Sequence, residues 1–175
     1  YQSFKNGLCA TIMAISPILL SAQLVKHDRL LSFESTEVPS FVAGIHSDLS
    51  ISGQHYKDGT QSLQWKFQPG GSIIIHKDLK FEKKDPTGTD KYLSVFVVWI
   101  YNEKPIDKTL QFEFQKDEKT CSSFPFGLNF QGWRASWGSY ERDMKGTPEE
   151  GMNEIRITAP DVAGEIYIDH LLTAA

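Results

Sequence analysis

The sequence predicts an all-β protein, an antiparallel β-sandwich of eight to ten short strands between about residues 30 and 174. Apolar and polar residues alternate with a period of two in several segments, which is typical of strands with one buried face. Turns rich in glycine and proline separate these segments, and no helical periodicity of useful length follows residue 22. The 175 residues, of which 40% are hydrophobic, suffice for one domain with a sizeable core.

The first 22 residues differ from the rest and predict a secretory signal peptide. They carry a single charge, Lys5, followed by an apolar run over residues 8–20 and then by two small residues. The run contains Pro17 and is shorter than the about 20 residues of a membrane-spanning helix, so no membrane span is expected. The alternative is a buried helix of the domain. We expect residues 1–22 to be a signal peptide, residues 23–175 to form the domain, and the protein to be secreted or periplasmic.

The segment over residues 24–36 is expected to lead into the first strand. Strands with one polar face follow it. In "QSLQWKF", Leu63, Trp65 and Phe67 face one side, and the residues between them are polar. The same alternation recurs later in the chain at Leu110, Phe112, Phe114, Ile155 and Ile157. Each of these segments predicts a strand whose apolar side chains face the core.

Two further segments are apolar on both faces. "YLSVFVVWIY" at 92–101 predicts a central strand covered on both sides, and "SIIIH" at 72–76 predicts a shorter strand of the same kind. Proline and glycine end strands because they remove a backbone donor or permit positive φ. Such signals are "KDG" at 57–59, "PGG" at 69–71, "KKDPTGTD" at 83–90 and "KGTPEEG" at 145–151.

The net charge and the reactive residues argue against several classes of function. The net charge of -4 argues against a general nucleic-acid binder. Cys9 lies in the signal and leaves Cys121 alone, so no internal disulfide is expected. The sequence contains no nucleophile elbow, phosphate loop or zinc-type spacing, and no catalytic residue is predicted. The histidines are scattered, at His27, His46, His55, His76 and His170.

The two tryptophans of "GWRASW" at 132–137 pose a choice between sugar stacking and core packing. Sugars offer apolar C–H faces to aromatic rings and hydroxyls to polar groups nearby. Neighbouring strand residues face opposite sides, and Trp133, Ala135 and Trp137 form the more apolar set. We therefore predict a core role for the tryptophans, with Arg134 on the surface.

A second group of residues suggests a metal site near the last predicted strand, "GEIYIDHLLT". Ile166 and Ile168 would face the core, and Asp169 would face the other way beside Tyr167. Calcium takes six to eight hard oxygen ligands, including carboxylates and backbone carbonyls. Asp169 is the main candidate ligand; the alternative is a plain edge-strand aspartate. Candidate partners are Asp58, Gln61, Tyr56, Glu34 and the backbone carbonyl of Ser32.

Four segments in this order, "DGTQSLQWKF", "VVWIYNEKPID", "LNFQGWRASW" and "APDVAGEIYIDHLL", resemble the N-terminal domain of the chondroitin sulfate ABC lyases. The resemblance covers about residues 30–173. It implies a jelly-roll β-sandwich similar to carbohydrate-binding modules, which helps to hold the polysaccharide in secreted bacterial enzymes. In that family the chemistry belongs to a later α-helical domain, which acts through His, Tyr, Arg and Glu. No catalytic residue is carried over to this chain.

The resemblance implies glycosaminoglycan partners, namely chondroitin or dermatan sulfate chains, and a catalytic domain as partner if the chain is a fragment. Sulfate and carboxylate pair with basic groups, so the candidate contacts are Arg134 and a lysine cluster. A solvated loop is the alternative reading of the lysines. A stand-alone structural or adhesion domain is the alternative function. The cluster comprises Lys77, Lys80, Lys83, Lys84 and Lys91.

Overall fold

A computed structural model describes residues 29–83 and 94–174 as ten antiparallel β-strands, with no helix in those ranges. The all-β prediction and the expected number of strands are confirmed. The strands are β1 (Arg29–Leu31), β2 (Val42–Ser52), β3 (Ser62–His76), β4 (Val95–Asn102), β5 (Thr109–Lys116), β6 (Lys119–Gly127), β7 (Gly132–Ser139), β8 (Lys145–Gly146), β9 (Glu154–Thr158) and β10 (Gly164–Ala174).

The strands form one curled sheet that folds over into two packed layers, in the order β7-β4-β10-β3-β9-β5-β6-β8. Two strands lie outside this order: β1 pairs with β10, and β2 pairs with β3. The first layer contains β7, β4 and β10, and the second contains β9, β5, β6 and β8. The rings of Phe96 on β4 and Phe114 on β5 meet edge to face at 4.9 Å between centroids, which places the core between the layers. The predicted antiparallel β-sandwich is thus confirmed.

β3 passes from one layer into the other. Its first half pairs with β10 and its second half, from Ser72 onward, pairs with β9. "PGG" lies inside this strand, so the prediction that it separates two strands is wrong. Gly70 has a φ of +69°, and a Cβ on Gly71 would collide with the carbonyl oxygen of His46 on β2. The two glycines therefore permit a sharp bend within a continuous strand.

The alternating segments bury the side chains that their periodicity indicates. Leu63 and Trp65 on β3 and Phe112 on β5 are fully buried, and so are the isoleucines of β9. The Trp65 indole N–H donates to Ser47 Oγ at 2.9 Å, which satisfies its polar atom inside the core. These strands confirm the prediction that the apolar set of each faces inward.

β4 differs from the prediction of a central strand covered on both faces. It is the second strand from the edge, between β7 and β10. Phe96, Val98 and Ile100 are buried, whereas the residues between them are half-buried. The outward residues include Trp99 and Tyr101, whose aromatic character produced the continuous apolar pattern.

Several predictions concern residues outside the described ranges. These are the signal peptide over residues 1–22, most of the turn at 83–90, and Lys84 and Lys91. In the described part of the chain, no helix has the length and apolar character needed to cross a bilayer. Cys121 is buried and unpaired with another cysteine in that part.

Candidate carbohydrate-binding surface

The prediction that the tryptophans of β7 face the core is wrong. β7 lies at the edge of the first layer, where Trp133 pairs with Tyr101 and Trp137 pairs with Val97 on the outer side of β4. Trp137 is 63% exposed, and Trp133 is half-buried. The inward positions opposite the buried Val98 and Phe96 hold the small residues Ser136 and Gly138. The apolar side chains of this strand are therefore presented to solvent.

An aromatic row crosses the outer side of the first layer from Trp133. Trp133 meets Tyr101 edge to face at 5.5 Å, and Tyr101 lies next to Tyr167 on β10. His55, from the loop before β3, stacks on Tyr101 at 3.8 Å with an interplanar angle of 14°. Its ring also meets Tyr167 edge to face at 4.8 Å. The row is thus covered at its centre by His55 and open at the Trp133 end.

Polar groups hold the two tyrosines in place. The Tyr101 hydroxyl donates to Glu103 Oε2 at 2.7 Å, and this hydrogen bond is the main cause that raises the pKa of Tyr101. The Tyr167 hydroxyl accepts from Gln64 Nε2 at 3.1 Å and lies 2.9 Å from Glu165 Oε1. Burial, with a smaller contribution from Glu165, raises the pKa of Tyr167 to about 12. Both tyrosines are therefore neutral hydrogen-bonding groups at physiological pH.

Arg134 lies on the other face of β7 and is exposed, as predicted. Its guanidinium carbon lies 5.8 Å from the ring centroid of Phe126 and 5.6 Å from that of Phe130. Contacts with aromatic faces of this kind orient a guanidinium without neutralising its charge. Arg134 has no carboxylate partner within the described residues. We call Trp133, Arg134 and Trp137 the β7 surface.

The lysine cluster lies far from Arg134. Lys77 follows β3 and places its ammonium 5.1 Å from the ring centroid of Phe41. The backbone N–H of Lys80 donates to Thr173, and that of Lys83 donates to a Glu150 carboxylate oxygen at 3.2 Å. The Lys80 contact lies near the start of β4, because Thr173 pairs with Phe96. Arg134 pairs with Ile100, which is roughly 13 Å further along that strand. The lysines and Arg134 therefore do not form one patch.

Asp169 holds the loop over residues 53–60 against the sheet. It is fully buried, and its Oδ2 accepts the backbone N–H groups of Lys57 at 2.6 Å and Asp58 at 2.9 Å. Its Oδ1 accepts the N–H of His170 at 2.7 Å. Burial is the largest cause that raises the pKa of Asp169, and these hydrogen bonds oppose it. The Lys57 ammonium lies 4.1 Å from the Trp99 ring centroid, so the loop also covers that indole.

Glu34 anchors the other side of the same loop. Its carboxylate accepts the backbone N–H groups of Thr60 and Gln61, each at 3.1 Å. A Cβ on Gly59 would collide with this carboxylate, and Gly59 has a φ of +72°. Asp169, Glu34 and Gly59 together fix the conformation of residues 53–60.

The predicted calcium ligands lie in one region around this loop. Ser32 follows Leu31, which pairs with Leu171, and Asp58 Oδ2 lies 3.3 Å from His170 Nδ1. The carboxylate of Asp169, however, is engaged by backbone N–H donors, and a calcium ligand must present free lone pairs. Within the described ranges, no group of three or more His, Cys, Asp or Glu residues is arranged to hold a metal ion. The donor set in this conformation fits a hydrogen-bonded anchor better than a calcium cage.

The family model described as "Lyase, N terminal" matches residues 27–175. The chain belongs to this family. A chondroitin sulfate ABC exolyase from Bacteroides thetaiotaomicron is 60% identical over 160 residues, which are 91% of this chain and 16% of that enzyme. A chondroitin sulfate ABC exolyase from Proteus vulgaris is 34% identical over 140 residues, which are 80% of this chain and 14% of that enzyme. The resemblance identified from the four sequence segments is confirmed.

This lyase N-terminal domain shares its fold with carbohydrate-binding modules. A family 11 carbohydrate-binding module from Clostridium thermocellum superposes with a TM-score of 0.55 at 11% identity, over 84% of this chain and 93% of the module. At this identity the likeness concerns the fold alone. The chain spans about one sixth of the length of the curated relatives.

Sequence reasoning missed several residues on the surface of this lyase N-terminal domain. His55 was one of five scattered histidines, and only the folded loop brings it onto Tyr101. Gln64 gave no motif, because its partner Tyr167 lies on another strand. Glu103 contacts Tyr101 only two residues away, but a tyrosine followed by a glutamate at that spacing is not a recognised motif. An available signal was the pair of tryptophans four residues apart on one face of a strand. Alternation shows that such residues share a face but does not show which face is buried.

Proposed function

We propose that this chain is the N-terminal carbohydrate-binding module of a secreted glycosaminoglycan lyase. It would hold chondroitin or dermatan sulfate chains for a catalytic domain elsewhere in the same polypeptide. Family membership and the names of the relatives support this proposal, because the matched parts of those chondroitin lyases cover only a small share of each enzyme. The predicted signal peptide, with secretion or periplasmic localisation, belongs to the same proposal.

The observation that carries this proposal is the β7 surface. Trp137 and Trp133 present indole rings on one face of an edge strand, and Arg134 presents a cation on the other. A polysaccharide that runs along this edge would stack its C–H faces on the indoles. Its sulfate or carboxylate groups would pair with the guanidinium, which is already oriented by two phenyl rings.

The lysine cluster would act as a second, weaker contact for a long chain. Lys77, Lys80 and Lys83 are exposed, and Lys84 follows them in sequence. Acidic groups lie among them, since Glu150 contacts Lys83. A polymer can join two distant weak contacts, so long chains should bind more tightly than short ones.

The test is isothermal titration of the chain with chondroitin sulfate at low and high salt. Removal of a stacking ring costs about 1 kcal/mol or more, so Trp137→Ala should weaken binding about five- to tenfold. Arg134→Gln should weaken binding mainly at low salt, because charge contacts at the surface are screened. The matched controls are Ile45→Ala, which removes another exposed apolar side chain, and Lys119→Ala, which removes an exposed cation.

Equal binding by Trp137→Ala and Ile45→Ala would remove the β7 surface from the site. Unchanged affinity in Arg134→Gln, together with salt-independent binding, would indicate a neutral glycan. A chain that binds no glycan on an array would favour the alternative of a structural or adhesion domain.

A structural cation between the lead-in and the last strand remains part of the proposal. Asp169, Asp58, Gln61 and Ser32 are its candidate ligands, and its effect would be to stabilise the folded state by mass action. In the conformation described, the Lys57–Asp58 backbone would have to release Asp169 before a cation could bind there.

A further inference from the structure

The ammonium group of Lys57 lies on the outer side of the first layer, level with the gap between the two indoles of β7. Trp133 and Trp137 are four residues apart, about 13 Å along the strand, and Ala135 lies midway between them on the same face. Ala135 pairs with Trp99 on β4, and the Lys57 ammonium lies 4.1 Å from the centroid of that indole. Because the side chain of Ala135 is small and exposed, it leaves room for a ligand beside this ammonium.

The backbone of Lys57 is fixed on the other side of β4. Its N–H donates to Asp169 on β10, and Asp169 pairs with Trp99 from the side of β4 that faces away from β7. The exposed side chain of Lys57 therefore extends from β10 over Trp99 towards β7. The anchor uses only the backbone N–H, so it is retained when the side chain is replaced.

The carboxylates around the loop over residues 53–60 interact with other groups. Asp169 accepts backbone N–H groups, and Asp58 Oδ2 lies 3.3 Å from His170 Nδ1. Glu103 accepts a tyrosine hydroxyl at 2.7 Å. Lys57 forms no ion pair with any residue that the structure describes. Contact with a ring face orients an ammonium but leaves its charge in place, so Lys57 presents a positive charge to an external anion.

We propose that Lys57 binds an acidic group of a polysaccharide on the outer face of the first layer, in a subsite whose floor is Ala135. The chain would run along β7 with rings stacked on Trp133 and Trp137, and the acidic group of a ring between them would meet the ammonium. This inference rests on the proposed function and extends it. Arg134 lies on the opposite face of β7, so a chain stacked on the indoles meets Lys57 directly and reaches Arg134 only around the strand edge.

The subsite takes a carboxylate or a sulfate, because a lysine ammonium is a compact point charge without the planar fork of a guanidinium. A neutral sugar ring in the same place would gain no ion pair. Lys57 would therefore favour acidic over neutral polysaccharides on a surface whose indoles can stack on either.

The test is isothermal titration of the full chain with four polymers: sulfated chondroitin, unsulfated chondroitin, polygalacturonate and a neutral galactan. Lys57→Gln should weaken the binding of an acidic polymer about fivefold at low salt, the upper range for an exposed ion pair, and this difference should vanish at high salt. A loss with all three acidic polymers assigns the carboxylate, and a loss with sulfated chondroitin alone assigns the sulfate. Lys57→Arg keeps the charge and should keep most of the affinity.

The matched control is Lys119→Gln, which removes an ammonium that is 76% exposed on β6 in the second layer. It should bind all four polymers as the wild type does. The melting temperature of Lys57→Gln should stay close to that of the wild type, because the backbone donor to Asp169 remains.

A second pair of variants tests the place of the subsite. Ala135→Glu puts a carboxylate beside the Lys57 ammonium, and Ala135→Gln adds the same bulk without the charge. The glutamate variant should bind acidic polymers more weakly than the glutamine variant. This difference should shrink when each is combined with Lys57→Gln, because the two positions are coupled only if the ammonium lies beside residue 135.

The failure of this inference differs from the failure of the proposed function. If Lys57→Gln and Lys119→Gln bind alike while Trp137→Ala binds chondroitin weakly, the Lys57 subsite is wrong and the proposed function stands. If Lys57→Gln weakens the binding of polygalacturonate but no chondroitin binds, the subsite is correct and the proposed function fails. If no acidic polymer binds the wild-type chain, both are wrong.

Discussion

Tyr140 is a fully buried core residue with an unsatisfied hydroxyl group. Its ring meets Phe114 edge to face at 4.9 Å and Phe81 at 5.8 Å. The hydroxyl oxygen has no hydrogen-bond partner within the described residues, and burial strongly raises the pKa of this tyrosine. A buried polar group without a partner costs about 1–3 kcal/mol of stability.

We predict that Tyr140→Phe raises the free energy of unfolding by about 1 kcal/mol, because it keeps the ring and removes the unpaired hydroxyl. Urea denaturation of the two proteins measures this difference. Tyr140→Leu is the comparison, and it should destabilise because it leaves a cavity. A loss of stability in Tyr140→Phe would show that the hydroxyl is bonded in solution.

β7 shows what alternation predicts and what it leaves open. Alternation correctly assigned Trp133, Ala135 and Trp137 to one face and Arg134 to the other. It did not reveal that the apolar face is the outer one. The small residues Ser136 and Gly138 occupy the inner side of this edge strand, and the indoles lie on its outer side. Exceptions of this kind are expected where a surface serves binding rather than folding.

The loop over residues 53–60 is the element that depends most on single side chains. It carries His55 onto the aromatic row and Lys57 onto Trp99. Asp169 fixes one side of the loop by accepting part-buried hydrogen bonds from its backbone, and Glu34 fixes the other side in the same way. Sequence spacing cannot find these bonds, because the donor and acceptor of each are 26 to 112 residues apart.

We predict that Asp169→Ala lowers the free energy of unfolding by about 3 kcal/mol, because three backbone N–H groups lose their acceptor. It should also make residues 53–60 a site of rapid proteolysis. Thermal denaturation and limited proteolysis measure the two effects. Asp161→Ala is the control, since Asp161 forms an exposed ion pair with Lys108 and should matter little. Similar losses in the two variants would contradict the anchoring role.

The calcium proposal makes a different prediction for the same residue. A chelator should lower the melting temperature of the wild-type chain and leave Asp169→Ala unchanged, because only the wild type would bind the cation. Differential scanning calorimetry with and without calcium measures this. An equal response of the two proteins would exclude Asp169 as a ligand, and no response in either would leave Asp169 as a loop anchor alone.

The bend in β3 shows where the prediction of strand boundaries from the sequence fails. The residues before and after "PGG" were predicted as strands, and both are strands. Proline and glycine here bend a strand instead of ending it, because the pairing with β2 resumes beyond a bulge at His46. Local sequence cannot separate a turn from a bend, since the difference lies in the partner strands.

At the scale of the whole molecule, composition and alternation were sufficient for the fold class. The family followed from four segments that are specific in sequence. The candidate sites were less accessible to sequence reasoning. Arg134 and the lysines were grouped as one set of contacts, but Arg134 lies on β7 in the first layer, whereas Lys77 lies beside the start of β9 in the second. Proximity on a β-sandwich depends on strand order, which the sequence does not state.

We predict that this chain alone has no lyase activity. Proton abstraction and elimination require a base, an acid and a group that neutralises the uronate carboxylate, and the sequence offers no such set. Incubation with chondroitin sulfate, followed by ultraviolet absorbance of the unsaturated product, measures this. The positive control is a full-length chondroitin lyase. Product formation that persists across independent purifications would overturn the prediction.

Edge strand β7 also affects how the molecule behaves at high concentration. Within the described residues, no strand pairs with the edge of β7 that faces away from β4. The outward indoles of β7 would favour the docking of a strand from another copy. Arg134 places a charge on the inner side of this edge, which opposes such docking. Arg134→Leu should therefore promote aggregation, whereas Arg134→Lys should remain monomeric in light scattering. The same guanidinium that we assign to glycan binding would then also keep the free domain soluble.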